Sequence, residues 1–157
     1  MNERERVVGL VERFAESTGV PGLALGPEGV ATFRFRGELE FNIEHADESA
    51  VVFFYSPIAF APKGRDREQT LAGFLTQNFL GKGTGGATIS LDPETDEVFL
   101  HATFLVDGLT DERFRNGIEN FLQVASRLKD HLEGRHSESA AEDGDAPGMD
   151  SPFTTRC

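Results

Sequence analysis

Cysteine and tryptophan are almost missing from this sequence of 157 residues. Its one cysteine is Cys157, it has no tryptophan, and Tyr55 is its only tyrosine. A single cysteine excludes a disulfide within the chain, which favours a reducing compartment, and it offers no cysteine pair for a zinc site. The aromatic residues are instead 14 phenylalanines, which supply apolar area without a hydrogen-bonding tip.

Long apolar runs and an excess of basic residues are also absent. No apolar run approaches the roughly 18 residues that a membrane-spanning helix needs, and residues 1–6 lack the apolar core of a signal peptide. The net charge is −12, with a sequence pI of about 4.7. An acidic surface repels nucleic acid and anionic membranes, so neither is expected as a partner. These absences predict an acidic cytoplasmic protein.

Hydrophobic periodicity predicts the order helix, three strands, helix, two strands, helix. Apolar residues three and four apart mark the helices, and alternating ones mark the strands. The early strands are joined by short turns, so they are antiparallel, and the helices are few and separate from them. The predicted class is therefore α+β, an antiparallel sheet with helices packed on it. The predicted helices are at about 3–17, 68–80 and 110–134, and the predicted strands at 29–36, 38–44, 51–55, 87–91 and 97–105.

The clearest strand signals lie between residues 29 and 60. Phe33 and Phe35 alternate with polar residues before the turn at Gly37, and three apolar residues alternate with glutamates after it, which predicts a hairpin. Residues 51–55 are apolar at every position, which predicts a strand buried on both faces. Ser56 and Pro57 are expected to end that strand.

Composition divides the chain into two parts. Residues 1–134 hold all the periodic segments and predict one α+β domain. From residue 135 to 157, Ser, Glu, Asp, Gly and Pro dominate, and Met149 and Phe153 are the only large apolar residues. Such a composition cannot offset the entropy of ordering the chain, so we predict a disordered acidic tail.

Four glycines fall within six residues, at positions 81, 83, 85 and 86. The string Gly81-x-Gly83-x-x-Gly86 matches the dinucleotide fingerprint, which requires a strand before the glycines and a helix after them. Here a helical pattern precedes and a strand pattern follows, so no helix N-terminus would face a phosphate. The glycines are interpreted as a helix end and a connector, and no nucleotide site is predicted.

No catalytic constellation is found. Asp92, Glu94, Asp96 and Glu97 are interpreted as a polar hairpin turn, because position six of a calcium loop would be Gly and is Glu97. No histidine stands at metal-binding spacing from another histidine or from the cysteine. His101 is interpreted as a structural, partly buried residue. We therefore predict a protein that is not an enzyme and holds neither cofactor nor metal. An enzyme with an unrecognised site around His101 and the Asp92 turn stays open.

Three short segments resemble the signature of a known family. They are Tyr55-Ser56-Pro57-Ile58, the run Asn78-Phe79-Leu80-Gly81-Lys82-Gly83-Thr84-Gly85-Gly86-Ala87, and Ser90-Leu91-Asp92-Pro93. In these residues and in the order of its elements, about residues 5–133, the chain resembles the Tir chaperone family. These are the class I chaperones of bacterial type III secretion. The tail after Gly134 has no counterpart in the resemblance.

The resemblance implies a cytoplasmic bacterial homodimer with a role in virulence. It would bind the non-globular N-terminal segment of a secreted effector, its client, and keep it secretion-competent. It also leaves the secretion ATPase open as a further partner. By the resemblance, the effector-binding positions are Leu23, Leu25, Phe33, Phe35, Leu39 and Phe41, and the dimer interface holds Phe74, Asn78, Phe79, Leu80, Ile89 and Leu91.

Two questions stay open at the level of sequence. Each of the strand phenylalanines fits either a core or a binding surface, because alternation alone does not say what covers the apolar face. The chain also fits a dimerising adaptor outside secretion, with the same fold and a different partner. The sequence names neither the client nor the number of clients.

Overall fold

The computed structural model describes residues 1–142, and the side chains of residues 1–134. The order of elements is the predicted one. The helices are α1 (Glu3–Thr18), α2 (Arg67–Asn78) and α3 (Asp111–Glu142), with single 3₁₀ turns at Gly64–Asp66 and Phe79–Gly81. The strands are β1 (Val30–Phe35), β2 (Leu39–Glu44), β3 (Val51–Phe60), β4 (Thr88–Leu91) and β5 (Glu97–Leu105).

The five strands form one antiparallel sheet in the order β1-β2-β3-β5-β4. The predicted hairpin is present: β1 and β2 pair with Phe33 opposite Phe41. α1 and α3 pack on one face of the sheet, called here the core face. The α+β class is confirmed, with β1 and β4 as the two edges of the sheet in the part of the chain that is described.

Phenylalanine rings from both layers meet in the core. The ring centroid of Phe54 on β3 lies 5.4 Å from that of Phe41 and 4.7 Å from that of Phe104, which are strand neighbours. From α3, Phe114 lies 5.4 Å and Phe121 6.4 Å from the same ring. Each such side chain contributes about 1.5–3 kcal/mol when fully buried, so this cluster is the main link between the sheet and α3.

Caps and one ion pair fix α1. The side chain of Asn2 accepts a hydrogen bond from the Glu5 amide, and Glu5 accepts one from the Asn2 amide, which is a capping box. The helix ends at Gly19 in the left-handed conformation. Arg13 then joins α1 to the start of α3, since its Nε donates to Asp111 at 2.8 Å. This exposed pair links the two helices at the surface.

β3 differs from the prediction in length and in burial. Pro57 does not end it, because the strand continues to Phe60 and its register with β5 shifts between Pro57 and Ala59. A bulge tolerates a residue without an amide hydrogen. Burial alternates along the strand, so only one of its faces is fully buried. The prediction of a strand buried on both faces is therefore wrong.

α3 continues past Gly134, where the sequence predicted its end, to Glu142. One glycine inside a helix costs only about 1 kcal/mol relative to alanine, and the alanines and glutamates that follow favour helix. The rest of the predicted disordered tail, residues 143–157, lies outside the described residues. Within residues 1–142, no helix combines the length and apolarity that a membrane crossing requires.

Candidate functional site

Half of the predicted effector-binding residues lie in the core. Phe41 is completely buried beneath Phe121 of α3, with the ring centroids 5.4 Å apart, and Leu39 and Leu23 are also buried. These three side chains lie inside the core and have almost no exposed area in the single chain. In the single chain, α1 and α3 cover that part of the sheet, and the assignment of Leu23, Leu39 and Phe41 as effector-binding residues stays a prediction.

The other three residues, Leu25, Phe33 and Phe35, are half-buried. Phe33 lies 6.1 Å from Phe14 of α1 and 5.1 Å from Phe41 of β2, measured between ring centroids, so its inner side touches the core. Its outer side is accessible because β1 is an edge strand. We call Leu25, Phe33 and Phe35 the β1 edge patch.

Two arginines flank the β1 edge patch. Arg36 has its guanidinium 5.1 Å above the ring of Phe35, and no carboxylate pairs with it among the described side chains. Arg34 projects from the opposite face of β1 and approaches Glu40 at 3.8 Å. In a chain of net charge −12, this edge carries two arginines beside half-buried phenylalanine rings.

The six predicted interface residues fall into three pairs that differ in exposure. Ile89 is buried in the core, and Asn78 bonds to the backbone of Ile89, so these two hold α2 against β4 within one chain. Phe74 and Leu91 are half-buried and pack on the core. Phe79 and Leu80 are 63% and 77% exposed. The exposed pair, called here the α2 tip, is therefore the part open to a second chain.

α2 buries none of its side chains completely. Leu75, which the sequence prediction did not include, is 71% exposed on the same helix. At the α2 tip, Leu80 adopts a left-handed backbone with φ of 53°, which is costly for a leucine. A helix with three exposed large apolar residues and a strained end is incompletely packed in the single chain.

The glycine connector packs tightly against itself. A Cβ on Gly81, whose φ is 67°, would lie 2.9 Å from Cα of Gly86, and a Cβ on Gly83 would lie 2.9 Å from Cα of Gln77. Arg127 of α3 also donates to the Gly83 carbonyl at 2.8 Å. The segment runs from the 3₁₀ turn after α2 into β4, so the predicted helix–glycine–strand order is confirmed.

A groove on the opposite face of the sheet was not predicted. It has a volume of about 460 Å³. Its apolar part is formed by half-buried rings, with Phe99 of β5 at 6.3 Å from Tyr55 of β3. Burial and the nearby Glu44 raise the pKa of Tyr55 to about 12. We call this surface the outer-face groove; its lining residues are Glu44, Phe53, Tyr55, Ser90, Phe99 and His101.

A signal for the outer-face groove was present in the sequence. Alternate residues of a strand point to the same face, so Val51, Phe53 and Tyr55 share a face of β3. Phe99 and His101 share a face of β5 for the same reason. Pairing of Tyr55 with His101 brings the two sets together on one face. That pairing joins distant segments, so the sequence pattern alone could not supply it.

The open enzyme interpretation has limited support in this groove. Ser90 Oγ lies 3.1 Å from Nδ1 of His101, which is the contact of a nucleophile with a base. His101 has no bonded carboxylate among the described side chains, so no third group orients it. The Ser90–His101 pair is interpreted as a polar link between β4 and β5.

The acidic turn is structural, as predicted. The Asp92 carboxylate accepts a hydrogen bond from the Glu94 amide at 2.9 Å, and this bond, with others from Thr95, lowers the pKa of Asp92. Asp96 is paired with Arg67 at 2.7 Å. In the described part of the chain, no group of three or more metal-binding side chains converges.

The sequence profile of the Tir chaperone protein (CesT) family matches residues 9–129. This range begins within α1, covers all five strands and ends within α3. It therefore spans every surface described above except the first residues of α1. Comparison with curated proteins gives no match.

Solved structures share the fold at low sequence identity. The ExsC–ExsE complex aligns with a TM-score of 0.68 and 24% identity, over 83% of this chain and 96% of that one. The HopA1–SchA chaperone–effector complex aligns with a TM-score of 0.65 and 11% identity, over 81% of this chain and 95% of that one. The ExoT–SpcS complex from Pseudomonas aeruginosa aligns with a TM-score of 0.58 and 14% identity, over 82% of this chain and 99% of that one. At these identities the likeness shows a shared fold.

Proposed function

Because the chain belongs to the Tir chaperone protein (CesT) family, we propose that it is a homodimeric, cytoplasmic, non-enzymatic chaperone of type III secretion. It binds the non-globular N-terminal segment of a secreted effector and keeps that segment unfolded for export. The β1 edge patch is the binding surface of this chain, and the α2 tip with β4 forms the dimer interface. The secretion ATPase is a further partner, which receives the complex.

The single observation that carries the effector site is the half-burial of Phe33 and Phe35 on an edge strand. A phenylalanine pair with one side in the core is already held in place, so a partner loses little entropy in ordering it. The backbone of an edge strand also has amide and carbonyl groups available for pairing. An extended segment can therefore add as a strand and place its apolar side chains on the phenylalanines.

An effector site limited to Leu25, Phe33 and Phe35 is compatible with a stable fold in the free chaperone. Leu39 and Phe41 remain in the core with or without a client, so the sheet and its helices do not have to open. The client covers only the accessible sides of Leu25, Phe33 and Phe35. Apolar anchors of this kind usually carry most of the binding free energy, while nearby charges mainly raise the association rate.

The dimer rests on the exposed apolar residues of α2. Phe79 and Leu80 project beyond the end of the helix, and Leu75 lies one turn before them. A second copy brought to the same residues by a twofold axis buries all three in a self-complementary contact. Removal of this apolar area from water is favourable by about 25 cal/mol per Å². The outer-face groove, whose Ser90 lies on β4, borders the same edge of the sheet.

The test is binding of an effector segment by matched variants. The probe is the N-terminal segment of a secreted protein encoded beside this chain, titrated in calorimetry. Phe33→Ser and Phe35→Ser are expected to weaken binding strongly while the thermal midpoint and the sedimentation coefficient of the chaperone change little. Added salt is expected to weaken binding only modestly, because the anchors are apolar.

The control is Leu105→Ser. Leu105 is an exposed apolar residue of β5 on the face of the sheet that points away from the core. The variant is expected to bind the segment as the parent does. Equal binding by the Phe33, Phe35 and Leu105 variants would place the effector elsewhere and refute the site. Unfolding of both phenylalanine variants would show that these side chains belong to the core, and would also refute it.

A further inference from the structure

We propose that the open end of β5 is a second strand-docking site for the effector, on the edge of the sheet opposite to the β1 edge patch. The occupant is an extended segment of the client with uncharged, apolar side chains. The inference rests on the proposed function, since it adds a second contact with the same client. The site, called here the β5 slot, is formed by residues 102–104 of β5, residues 84–87 of the glycine connector and one side of α3.

β5 is longer than the strand beside it. β4 pairs only with residues 98–101, whereas β3 pairs with β5 as far as Leu105. Residues 102–105 therefore have a neighbouring strand on one side only. Because backbone groups alternate in direction along a strand, some of their amides and carbonyls point to the side that β4 leaves open. The side chain of Leu105 does not line the β5 slot, so the Leu105→Ser control leaves the slot unchanged.

The glycine connector does not continue β4 along this end of β5. In the register of β4, Gly86 would lie opposite Thr103, but its φ is 90°, whereas a strand has a strongly negative φ. The Ala87 amide instead bonds to the Thr84 carbonyl at 3.1 Å, so the connector turns back on itself. In the described part of the chain, no backbone hydrogen bond joins the connector to the end of β5.

A cavity of about 240 Å³ lies between this open end and α3. The half-buried ring of Phe104 lines it, with its centroid 4.7 Å from that of Phe54. On α3, a Cβ added to Gly117 would lie 3.1 Å from Cζ of Phe104. On the connector, a Cβ added to Gly85 would lie 3.0 Å from Cγ2 of Val124. The walls are therefore formed by close packing, and the cavity exists before any partner binds.

The lining of the β5 slot suits an uncharged, apolar side chain. No charged residue lines it, and Thr103 and Asn120 are its exposed polar residues. The Thr84 hydroxyl is already bonded to the Ala87 carbonyl, and Glu119 does not line the cavity. The volume is below the roughly 300 Å³ at which small-molecule sites usually begin, so the slot fits a side chain of a larger partner. An extended segment can place that side chain in the slot while its backbone pairs with β5.

One client can occupy the β5 slot and the β1 edge patch together. The sheet order β1-β2-β3-β5-β4 places the two sites at opposite edges. Strands added at both are separated by five strand intervals, or about 24 Å. An extended chain needs at least about eight residues to cover that distance. Binding at one site raises the effective concentration of the client at the other, so two weak contacts give tighter binding.

The first experiment uses a model peptide, so that it does not depend on a client. The probe is a short synthetic peptide of alternating threonine and valine with a lysine at each end, added to isotope-enriched chaperone. Amide signals of residues 84–87 and 102–105 are expected to shift, and hydrogen exchange at the open side of β5 is expected to slow. Shifts confined to β1, or no shifts, would overturn the proposal.

Variants of α3 test the cavity itself. Val124→Trp and Asn120→Trp each place a large side chain in the β5 slot, and Gln123→Trp is the matched control at an exposed residue that does not line it. The two slot variants are expected to lose the shifts at residues 102–105, which the control keeps. Circular dichroism checks the fold, and the exposed Asn120 gives a folded variant if Val124→Trp unfolds. Equal shifts in all three folded variants would contradict the proposal.

A second copy of the chain is the competing occupant, because the α2 tip precedes the connector. Phe79→Asp separates the two cases. If a second copy fills the β5 slot, the amides of residues 102–105 exchange slowly in the dimer, and the peptide binds only the monomeric variant, which would overturn the proposal. We expect the peptide to bind the dimer, with the amides on the open side of β5 exchanging equally fast in the free dimer and in the variant.

Titration with the N-terminal effector segment separates this inference from the proposed function. Val124→Trp is expected to weaken binding of the segment by about tenfold or more, and Gln123→Trp is expected to leave it unchanged. If the segment binds through Phe33 with equal affinity in both variants, the β5 slot is not an effector site and the proposed function stands. If the peptide fills the slot and no secreted segment binds, the proposed function fails and the slot remains a strand-docking surface.

Discussion

Asn78, the last residue of α2, binds both backbone groups of Ile89 on β4. Its Nδ2 donates to the Ile89 carbonyl at 2.9 Å, and its Oδ1 accepts from the Ile89 amide at 2.8 Å. An asparagine side chain can thus complete the pairing that a neighbouring strand would otherwise supply. The helix is attached to the open edge of β4 by this pair, and the attachment sets the direction in which the α2 tip projects.

Asn78→Ala is expected to lower the free energy of unfolding by about 2 kcal/mol and the thermal midpoint by roughly 5 °C. The variant leaves the backbone groups of Ile89 without their partner. Thermal unfolding followed by circular dichroism measures the effect. Thr76→Ala, which removes only an exposed bond within α2, is the control and should change little. Equal stability of the two variants would show that the Asn78 contacts contribute nothing.

Phe79→Asp and Leu80→Asp are expected to convert the dimer to monomer or aggregate. A charge placed in a buried apolar interface without a partner costs several kcal/mol. Sedimentation velocity gives the mass. Asn116→Asp adds the same charge to an exposed position of α3 and should remain dimeric. Dimers of normal mass from both Phe79 and Leu80 variants would place the interface elsewhere.

The phenol of Tyr55 is expected to titrate near pH 12 in the folded protein, instead of near 10. Burial is the first cause of this raised pKa, and the charge of Glu44 is the second. Because folding raises the pKa, the contribution of the neutral phenol to stability is complete below about pH 10 and is lost as the pH rises toward 12.

The measurement needs no mutation, since Tyr55 is the only tyrosine and its ultraviolet absorbance reports this one group. Glu44→Gln is expected to move the midpoint down, and denaturant should return it to about 10. Circular dichroism over the same range shows whether the fold is intact. A folded protein with a midpoint at 10 would contradict the environment described for Tyr55.

No binding of ATP, GTP or NAD is expected in calorimetry. The glycine connector leads from α2 into β4, so its amides do not begin a helix that could hold a phosphate. Micromolar binding of any of the three that is lost in Lys82→Ala would refute this prediction. Lys82 is the better site for that test, because a side chain at Gly83 would press on the backbone of Gln77.

The order of elements could be predicted because each depends on neighbouring residues. Val7, Leu10, Val11 and Phe14 all proved to be buried on one face of α1, and Phe33 proved to pair with Phe41 across the hairpin. A period of 3.6 or 2 is a local property, so the sequence contains it directly. The helix–glycine–strand order follows from the same local patterns.

The site could be predicted only in part, because its exposure depends on distant residues. Alternation showed that Phe33, Phe35 and Phe41 share a face, but only the packing of α3 decides that Phe41 is buried. The edge position of β1 decides that Phe33 is not. Pro57 misled the prediction for a similar reason, since the bulge that accommodates it forms against β5, far along the chain.

The packing of Phe54 also has a consequence for synthesis. Three of its four aromatic neighbours, Phe104, Phe114 and Phe121, come from the second half of the chain, two of them from the last helix. On the ribosome, β1, β2 and β3 therefore emerge before α3 exists, and the part of their core face around Phe54 stays uncovered until α3 is made. During that interval the nascent chain presents the same kind of apolar, unfolded segment that we propose the finished protein protects in others.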